Sequence, residues 1–474
     1  MISSGDGQVC GTDMSEVAMR EIDRACLEER IASEQTTYEQ LHPTSKLLHG
    51  EATHLFGGVP MTWMNLWPGG FPLSFERAHG NRIVDVDGHE YVDFALGDTG
   101  AMAGHSPEPT VRAVTRRIKE LGGITTMLPT SDAAWVGAEL ARRFGQPLWS
   151  FTLSATDANR WAIRIARAVT GRSKILCFSY SYHGSVDETF AIAGPDGSTL
   201  TRPGNVGPPV PPEVTTRAVP WNDLEALETA LSHGDVAVIV AEPALTNIGI
   251  VLPDADFHQE MRALATTYGA LLLIDETHTF SAGPGGATAA WDLRPDIVVI
   301  GKSIGGGIPC GAFGITDDIA STIETMANSG DADIEDVGGV GGTLAGNALS
   351  VAAMRATLAE VLTEEAFAHM IEMSTRFTAG VQSVIEEFAV PWSVTQLGAR
   401  TEYRFAASPP RDGDSSAEAH DQELDGYLHL ALANRGILMT PFHNMALMCP
   451  TTSAEDVDRH TAAFGEVVGA LRPS

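Results

Sequence analysis

The chain has 474 residues, of which 43% are hydrophobic, and its formal net charge is -31 at pH 7. It is long enough for about two or three domains around a large buried core. An acidic field of this size repels phosphate backbones and anionic lipids, so the composition argues against nucleic acid and membrane surfaces as partners.

The N-terminal segment predicts no targeting signal. Residues 1–15 are expected to be disordered, and they lack the basic segment and apolar run of a secretory signal. No apolar run reaches the length of a membrane span. The five cysteines are scattered and form no CxxC pair, so neither a disulfide framework nor a metal site is predicted. The chain is interpreted as cytoplasmic.

Two kinds of element are predicted before residue 100. Residues 16–48 have a charged helical pattern, and residues 71–95 are typical of short strands broken by turns. The pair Asp87–Gly88 lies between two alternating runs, which predicts a hairpin.

From about residue 105 to 320, short apolar runs alternate with helical stretches. The predicted strands are WSFTLS, KILCFSY, DVAVIVAEPA, ALLLIDET, DIVVIGKS and GAFGIT. This alternation predicts an α/β fold with a mostly parallel sheet covered by helices. Ligands of such sheets bind beyond the carboxyl ends of the strands.

The last third of the chain is predicted to form a smaller domain. Residues 321–345 are expected to be a Gly- and Asp-rich loop, followed by a long helix in NALSVAAMRATLAEVL. The predicted division is an N-terminal segment, 1–95, that joins the small domain, a large cofactor-binding domain, 96–345, and a C-terminal small α+β domain, 346–474.

Lys302 is the first candidate for chemistry. Only four of the 30 basic side chains are lysines, and this one directly follows the apolar run of DIVVIGKSIGGG. Burial at a strand end favours the neutral amine, which suits Schiff-base formation. The alternative is a lysine whose amine simply reaches solvent.

Asp275 occupies the corresponding place in ALLLIDETHTF. A carboxylate at the end of a buried strand needs a partner, and a protonated pyridine nitrogen is a suitable one. The alternative is a helix cap or a salt-bridged turn. The combination with Lys302 favours the cofactor interpretation.

Two further segments suit a phosphate. Ser154, Ala155 and Thr156 open a helix after a strand, and helix N-termini bind anions through free backbone amides. Thr343 ends the Gly-rich stretch VGGVGGT, where the backbone can approach a phosphate closely. An ordinary N-cap and a plain flexible loop are the alternatives. Tyr182 in SYSYHG could stack on a ring.

Phosphate, pyridine nitrogen and Schiff base together describe pyridoxal 5'-phosphate (PLP). In family order the chain carries DVDGHEYVDF, GHSPEP, SATDAN, YHG, AEPALTNIG, IDETHTF, GKSIGGGIPCGAFG and GTLAGN. From about residue 50 onward it resembles the class III aminotransferases, which are fold type I PLP-dependent transferases. The branch it resembles contains glutamate-1-semialdehyde aminomutase and the β-amino-acid transaminases.

The resemblance implies a role for each matching position. Lys302 would carry the Schiff base and move the substrate proton, and Asp275 would pair with the pyridine nitrogen. The other implied cofactor contacts are Ser154, Ala155 and Thr156 at the phosphate, Tyr182 and His183 at the ring, Glu242 and Asn247 near the ring hydroxyl, and Thr277 against the ring. Thr343 would reach the phosphate of a neighbouring subunit, which implies a homodimer.

The departures from the family concern the cofactor contacts and the substrate. Ala155 and Thr277 stand where glycine and valine are usual, and His278 is unexpected. Both arginines that relatives use for a carboxylate are missing, from NMALMCP and from GGVPMTWMNLWPGGFP. Arg400 is the candidate replacement, with a salt bridge to Glu402 or a surface position as its alternative.

Two more residues, Trp67 and His443, are candidates for substrate contact. The apolar segment around Trp67 suggests a bulky or apolar amine, or a β-amino acid. The first hypothesis is a transaminase that exchanges an amino group between an amine or amino-acid donor and a keto-acid or aldehyde acceptor. An aminomutase or racemase on the same fold is the second, and a non-catalytic protein of this fold is the third.

Overall fold

A computed structural model describes residues 22–331, 333 and 338–472. The disorder predicted for residues 1–15 lies outside the described residues. The predicted N-terminal helix is present as two helices, α1 (Arg24–Leu41) and α2 (Pro43–Glu51). The Asp23 side chain accepts hydrogen bonds from two first-turn amides and so fixes where α1 begins.

The other elements follow in chain order. The helices are α3 (Glu108–Arg116), α4 (Ser131–Phe144), α5 (Ala155–Thr170), α6 (Leu224–Ser232), α7 (Phe257–Tyr268), α8 (Gly286–Ala290), α9 (Asp317–Ser329), α10 (Ala348–Ala356), α11 (Glu364–Phe388), α12 (Gly413–Glu418), α13 (Gln422–Asn434) and α14 (Ala454–Gly469). The strands are β1 (Phe75–His79), β2 (Arg82–Asp85), β3 (Glu90–Asp93), β4 (Leu148–Thr152), β5 (Lys174–Phe178), β6 (Ala191–Ala193), β7 (Thr199–Thr201), β8 (Thr216–Val219), β9 (Val236–Ala241), β10 (Leu271–Asp275), β11 (Ile297–Gly301), β12 (Gly311–Ile315), β13 (Ser393–Leu397), β14 (Arg400–Arg404), β15 (Ile437–Leu438) and β16 (Met445–Leu447).

The central sheet has seven strands in the order β4-β12-β11-β10-β9-β5-β8. Strands β8, β5, β9, β10 and β11 are parallel, and β12 runs antiparallel to both β11 and β4. All residues of β9 and β11 are buried, as their unbroken apolar runs predict. The prediction of an α/β fold with a mostly parallel sheet is therefore confirmed.

Helix α5 packs closely on this sheet. Its small residues Ala158, Ala162 and Ala166 recur at four-residue spacing and belong to the same buried apolar cluster as Val240 and Leu273 of the sheet. The close contact places the N-terminus of α5 at the edge where β10 and β11 end.

A second sheet joins distant parts of the chain in the order β1-β2-β3-β15. The predicted hairpin is present between β2 and β3, where Gly88 adopts the left-handed conformation with φ +92°. Strand β15 pairs in parallel with β3 through Ile437 and Val92, so the N-terminal segment and the C-terminal part share one sheet. The division at residues 95 and 345 stays a prediction.

The prediction of a loop over residues 321–345 is wrong at its start. Helix α9 continues to Ser329 and buries Ile319 and Ile323 one turn apart, and Gly330 ends it with φ +82°. The loop was predicted because the segment as a whole is rich in glycine and aspartate, and the amphipathic pattern covers only its first few residues. The helix predicted after the loop is present as α10 and a wider helical turn, Thr357–Val361.

Among the helices of the described residues, none is long and apolar enough to cross a membrane.

Candidate functional site

A cavity of about 640 Å³ opens at the edge where the parallel strands of the central sheet end. Its walls come from loops that follow β3, β4, β5, β9, β10, β11 and β15, and from the segments before β1 and β12. The lining residues are Trp63, Leu66, Gly97, Asp98, Gly100, Leu153, Ser154, Ala155, Thr156, Tyr182, Gly184, Asn247, Asp275, Thr277, His278, Lys302, Gly307, Ile308, Pro309, Cys310 and Phe442. Most of the residues that the sequence singled out therefore meet in one place.

The first turn of α5 forms one end of the cavity. Ser154 is the N-cap, and its hydroxyl accepts a hydrogen bond of 3.2 Å from the Asp157 amide. The amides of Ala155 and Thr156 belong to the first turn, which a helix cannot satisfy internally. Gly184 touches this turn so closely that a Cβ there would lie 2.0 Å from Thr156 Oγ1. The helix end is therefore pressed against the loop after β5 and presents its amides to the cavity.

Asp275 lies deeper, at the end of β10, and is 3% exposed. Its Oδ2 accepts hydrogen bonds from Asn159 Nδ2 at 2.7 Å and from His183 Nδ1 at 3.0 Å. Its Oδ1 accepts from the amide of Thr277 at 3.1 Å and from its hydroxyl at 2.6 Å. Burial opposes the ionised form, but the hydrogen bond and charge of His183 and the bonds from Thr277 and Asn159 outweigh it and lower the pKa of Asp275.

Glu242 is buried beside the cavity rather than in its lining. Its carboxylate accepts a 3.0 Å hydrogen bond from the Tyr182 amide and a short one from the Thr246 hydroxyl. Burial raises the pKa of Glu242. These bonds fix the backbone of Tyr182, whose side chain lines the cavity together with Asn247.

Lys302 follows β11 with φ +51°, a conformation unusual for a residue with a side chain. Its Nζ lies 3.1 Å from the Asp98 carbonyl oxygen, 3.0 Å from Asp98 Oδ2 and 2.8 Å from His278 Nε2. Burial opposes the ionised form of Asp98, but Lys302 and then His278 and Arg400 lower the pKa of Asp98 well below its usual range. The predicted nucleophile is thus held by two residues from other loops.

Asp98 was not predicted as a site residue from the sequence. It lies in the segment LGDTG after β3, where Asp98 and Thr99 have positive φ values of 48° and 81°. An aspartate between glycines in a tight loop after a strand was the available signal. Leu66 and Phe442 were also not predicted as lining residues, whereas Trp63 lies in the apolar segment that suggested a bulky or apolar amine. The Trp63 and Phe442 rings meet edge to face, with centroids 6.0 Å apart.

Arg400 does not line the cavity in the described chain. It is 1% exposed, and its guanidinium contacts the Thr99 hydroxyl and His278 Nδ1, the latter at 3.1 Å. The expectation that Arg400 faces the cleft directly is therefore wrong, because Thr99 and His278 stand between it and the cavity. Its proposed role in carboxylate binding stays a prediction.

Three other predicted residues lie away from the cavity. Trp67 packs against Tyr91 and Leu438, in a small apolar cluster. His443 is buried, with Nδ1 3.3 Å from Glu402 Oε1. Thr343 is exposed and does not line the cavity of its own chain.

The cavity fits PLP by the chemistry of its groups. One end presents helix amides and the Thr156 hydroxyl, which suit a phosphate. The buried Asp275 remains ionised and suits a protonated ring nitrogen. Lys302 lies between Asp98 and His278 with its amine at the cavity, where it suits an aldehyde carbon. The backbone at Gly301 also approaches the start of α5 closely, because a Cβ on Gly301 would lie 2.9 Å from the Ala155 Cβ. This leaves little room for a side chain larger than alanine at position 155.

Comparison with known proteins identifies the family. The model for class-III aminotransferases matches residues 65–468. The chain is 32% identical over 435 residues to a glutamate-1-semialdehyde 2,1-aminomutase of Anaeromyxobacter dehalogenans, covering 90% of this chain and 97% of the relative.

Two solved structures extend the comparison. A glutamate-1-semialdehyde-aminomutase from Pseudomonas aeruginosa PAO1, solved as a lysine-to-alanine variant in complex with PMP, is 46% identical, with a TM-score of 0.91 over 95% of this chain and 100% of the other. A β-phenylalanine aminotransferase from Variovorax paradoxus is 28% identical, with a TM-score of 0.81 over 94% of this chain and 97% of the other.

Proposed function

The chain belongs to the class-III aminotransferase family and uses PLP, and on that premise we propose that it is an aminomutase, which moves an amino group between two carbons of one substrate. The similarity that carries this proposal is the 46% identity to the P. aeruginosa aminomutase over nearly the full length of both chains. This reverses the order expected from the sequence, where a transaminase came first.

PLP, when bound, acts as an electron sink that makes the proton on the amine-bearing carbon acidic. Residues of this chain would bind the phosphate and the ring of PLP and would orient its reactive groups. We assign the phosphate to the first turn of α5, with Ser154, Ala155 and Thr156. Asp275, kept ionised by its hydrogen bonds, would hold the proton on the ring nitrogen. Thr277 and Tyr182 would contact the ring, with His183 and Glu242 behind them and Asn247 beside it.

Lys302 would have two tasks. In the resting enzyme its amine would hold the cofactor through the aldehyde carbon. Once a substrate amine has replaced it, the free amine would take the proton from the substrate carbon and return it at a neighbouring position. Asp98 and His278 lie within hydrogen-bonding distance of Lys302 Nζ and would orient it during this transfer.

The walls of the cavity restrict the substrate. Among the lining residues of the described chain, none is an arginine, and Trp63, Leu66 and Phe442 make one wall apolar. We propose an amino aldehyde, amino ketone or β-amino acid whose chain lies against this wall. Any carboxylate it carries would be bound without an arginine from the cavity lining of the same chain.

A transaminase is the second candidate. The Trp63–Phe442 pair forms an aromatic edge at the mouth of the cavity, which suits a bulky amine. The structural similarity to the β-phenylalanine aminotransferase also supports transaminase activity on a bulky amine. A racemase would use the same cavity and is tested by the same assay.

One experiment separates these activities. The purified PLP-loaded enzyme is incubated with glutamate-1-semialdehyde, with an aromatic β-amino acid and with simple amines, without any keto acid, and products are followed by NMR. An aminomutase gives many turnovers to an isomer whose amino group has moved to the next carbon. A transaminase stops after one equivalent of carbonyl product and resumes when a keto acid is added. The second pattern with every substrate would exclude our proposal.

We further propose a homodimer in which Thr343 reaches the cofactor phosphate of the other copy. Thr343 is exposed, and the nearby Leu344, Met127 and Leu128 are 50%, 85% and 72% exposed. A backbone hydrogen bond from Ala348 to Ile124 holds the two segments side by side. Exposed apolar clusters of this kind favour a protein partner. Light scattering should give the mass of two chains, and Met127→Asp should shift it towards one.

The four cysteines of the described chain are unpaired. Free thiols suit a reducing compartment, so we propose a cytoplasmic location.

A further inference from the structure

Helix α5 carries three arginines on the side that faces away from the central sheet. Arg160, Arg164 and Arg167 follow one another at spacings of four and three residues, which places them on one side of a helix. The alanines of the opposite side are buried in the same apolar cluster as the sheet. The three guanidinium groups therefore lie next to one another on the outer side of α5.

Two of these arginines have no partner. With 61 acidic and 30 basic side chains in the chain, carboxylates outnumber the groups that could pair with them. Among the arginines of the described residues, Arg160 and Arg164 are nevertheless the only ones whose guanidinium makes neither a hydrogen bond nor an ion pair. Both side chains are exposed, and both line the same cavity. Two cations without a counter-charge thus meet at one place in a strongly acidic chain.

Arg167 adds a donor that lacks an acceptor. Its Nε donates a hydrogen bond to the Ser173 carbonyl oxygen at 2.9 Å, and its Nη1 donates one to Glu188 Oε1 at 2.7 Å. Its Nη2 is buried and has no hydrogen-bond partner. A buried donor of a charged group is costly to leave unpaired, and a ligand that supplies an acceptor removes this cost.

The three arginines line a cavity of about 420 Å³, which is within the size range of sites for small molecules. Its other walls include Asp187 and Glu188, from the segment after β5, and Gly338. Gly339 lies against Arg164 so closely that a Cβ there would be 2.9 Å from Nη1. This cavity shares no lining residue with the proposed cofactor cavity, so it is a separate place on the described chain.

We propose that this cavity, the α5 arginine pocket, binds a small molecule through an oxyanion, either a phosphate or a carboxylate group. A guanidinium presents a planar fork of N–H donors that matches two oxygens of an oxyanion. Arg160 and Arg164 each offer such a fork, and the unpartnered Nη2 of Arg167 offers a further donor. Three arginines against Asp187 and Glu188 leave the lining with one net positive charge. Glu188 already pairs with Arg167, so the charge that opposes the ligand is that of Asp187.

The test must keep the cofactor from competing, because its phosphate is also an oxyanion. PLP-loaded enzyme is reduced with borohydride, which fixes the cofactor, and is then titrated calorimetrically with inorganic phosphate, pyrophosphate and citrate at constant ionic strength. We expect one pyrophosphate to bind per chain, phosphate to bind more weakly, and sodium chloride to give no saturable heat. Citrate that binds as tightly as pyrophosphate would identify a carboxylate ligand, and weaker binding of citrate would identify a phosphate.

Matched variants locate the site. Arg160→Gln and Arg164→Gln should each weaken pyrophosphate binding about tenfold, because each removes a charged group that donates hydrogen bonds to the anion. Asp187→Asn removes the opposing charge and should strengthen binding about threefold. Arg294→Gln is the control and should leave binding unchanged, because that side chain is 75% exposed and pairs with Asp292 outside the pocket.

Three results of the titrations would overturn the proposal: no saturable binding of any of the three anions, unchanged binding in both pocket variants, or an equal loss in Arg294→Gln. Light scattering tests whether carboxylates of a second copy occupy the pocket instead. A shift of Arg160→Gln towards the mass of one chain, without anion binding by the wild type, would assign the pocket to that contact.

Circular dichroism checks that each variant is folded. If Arg164→Gln does not fold, because Arg164 lies against Gly339, the comparison of Arg160→Gln and Asp187→Asn with the control decides. No substrate takes part in the titration, so a wrong assignment of the reaction would leave its outcome unchanged.

Discussion

Two buried polar clusters of similar composition differ in how completely they are hydrogen-bonded. Around Asp85, Oδ2 accepts from the Tyr91 hydroxyl at 2.7 Å, and that hydroxyl also contacts His42 Nε2 at 2.8 Å. Oδ1 accepts from the amides of Asp87 and His89. Every polar side-chain atom of His42, Asp85 and Tyr91 has a partner within the protein.

The cluster around Lys302 is less complete. Glu402 Oε1 lies 3.3 Å from His443 Nδ1, but Asp98 Oδ1, Arg400 Nε and Glu402 Oε2 are buried without a hydrogen-bond partner. Each such atom costs about 1–3 kcal/mol of stability. A fold retains this cost where the groups are needed for something other than stability. The first cluster therefore serves the fold, even though His42, Asp85 and His89 have a spacing that could hold a metal ion, and the second serves the cavity.

The largest effect is expected for Lys302→Ala. Removal of the residue that we propose binds the cofactor and moves the proton should lower turnover about 1,000-fold or more while leaving the melting temperature nearly unchanged. Steady-state assays and the loss of a borohydride-sensitive absorbance band measure it. Lys174→Ala is the control, because that lysine only pairs with Asp235 at 3.5 Å. Equal loss of turnover in both variants would contradict the role proposed for Lys302.

Asp85→Ala tests the other side of the comparison. The loss of its hydrogen bonds to Tyr91, Asp87 and His89 should lower the free energy of unfolding by about 3 kcal/mol. Urea titration measures this change. Turnover per folded molecule should be unaltered, and a large drop in it would show that this cluster also serves the reaction.

Arg400→Ala should give an intermediate effect. Because Arg400 acts behind His278, turnover should fall by about tenfold for every amine, with or without a carboxylate. The loss is measured with pairs of donor amines that differ only in a carboxylate, each assayed at saturating concentration. If only carboxylated donors lose activity, through a higher KM, Arg400 binds substrate after all.

His460 should give the smallest effect at neutral pH. Its two ring nitrogens have no partner among Phe94, Phe377 and Phe464, and burial lowers its pKa to about 3. The unfolded chain takes up the proton near the ordinary value of 6.5, so stability is full above pH 6.5 and falls as the pH drops towards 3. His460→Phe should reduce this slope by up to about 1.4 kcal/mol per pH unit, as measured by urea unfolding at each pH. An unchanged slope would mean that His460 does not contribute to acid sensitivity.

The sequence alone determined the features that are local. An apolar run followed by a lysine or an aspartate fixes both a buried strand and the residue at its end, so Lys302 and Asp275 could be placed at the same edge of a parallel sheet. The helix start at Ser154 and the hairpin at Asp87–Gly88 are local in the same sense. These signals indicated the fold class and the cofactor, and the family followed from the resemblance of the whole series of motifs to class III aminotransferases.

Only the tertiary structure decided what surrounds Lys302. Asp98 is 204 residues away along the chain, and the contact between Arg400 and Thr99 joins residues 301 apart. No periodicity or short motif records such pairs, because they depend on how loops after separate strands converge. The same convergence put Arg400 behind His278 instead of in the cleft. A histidine that the sequence marked only as unexpected thus lies within hydrogen-bonding distance of both Lys302 and Arg400.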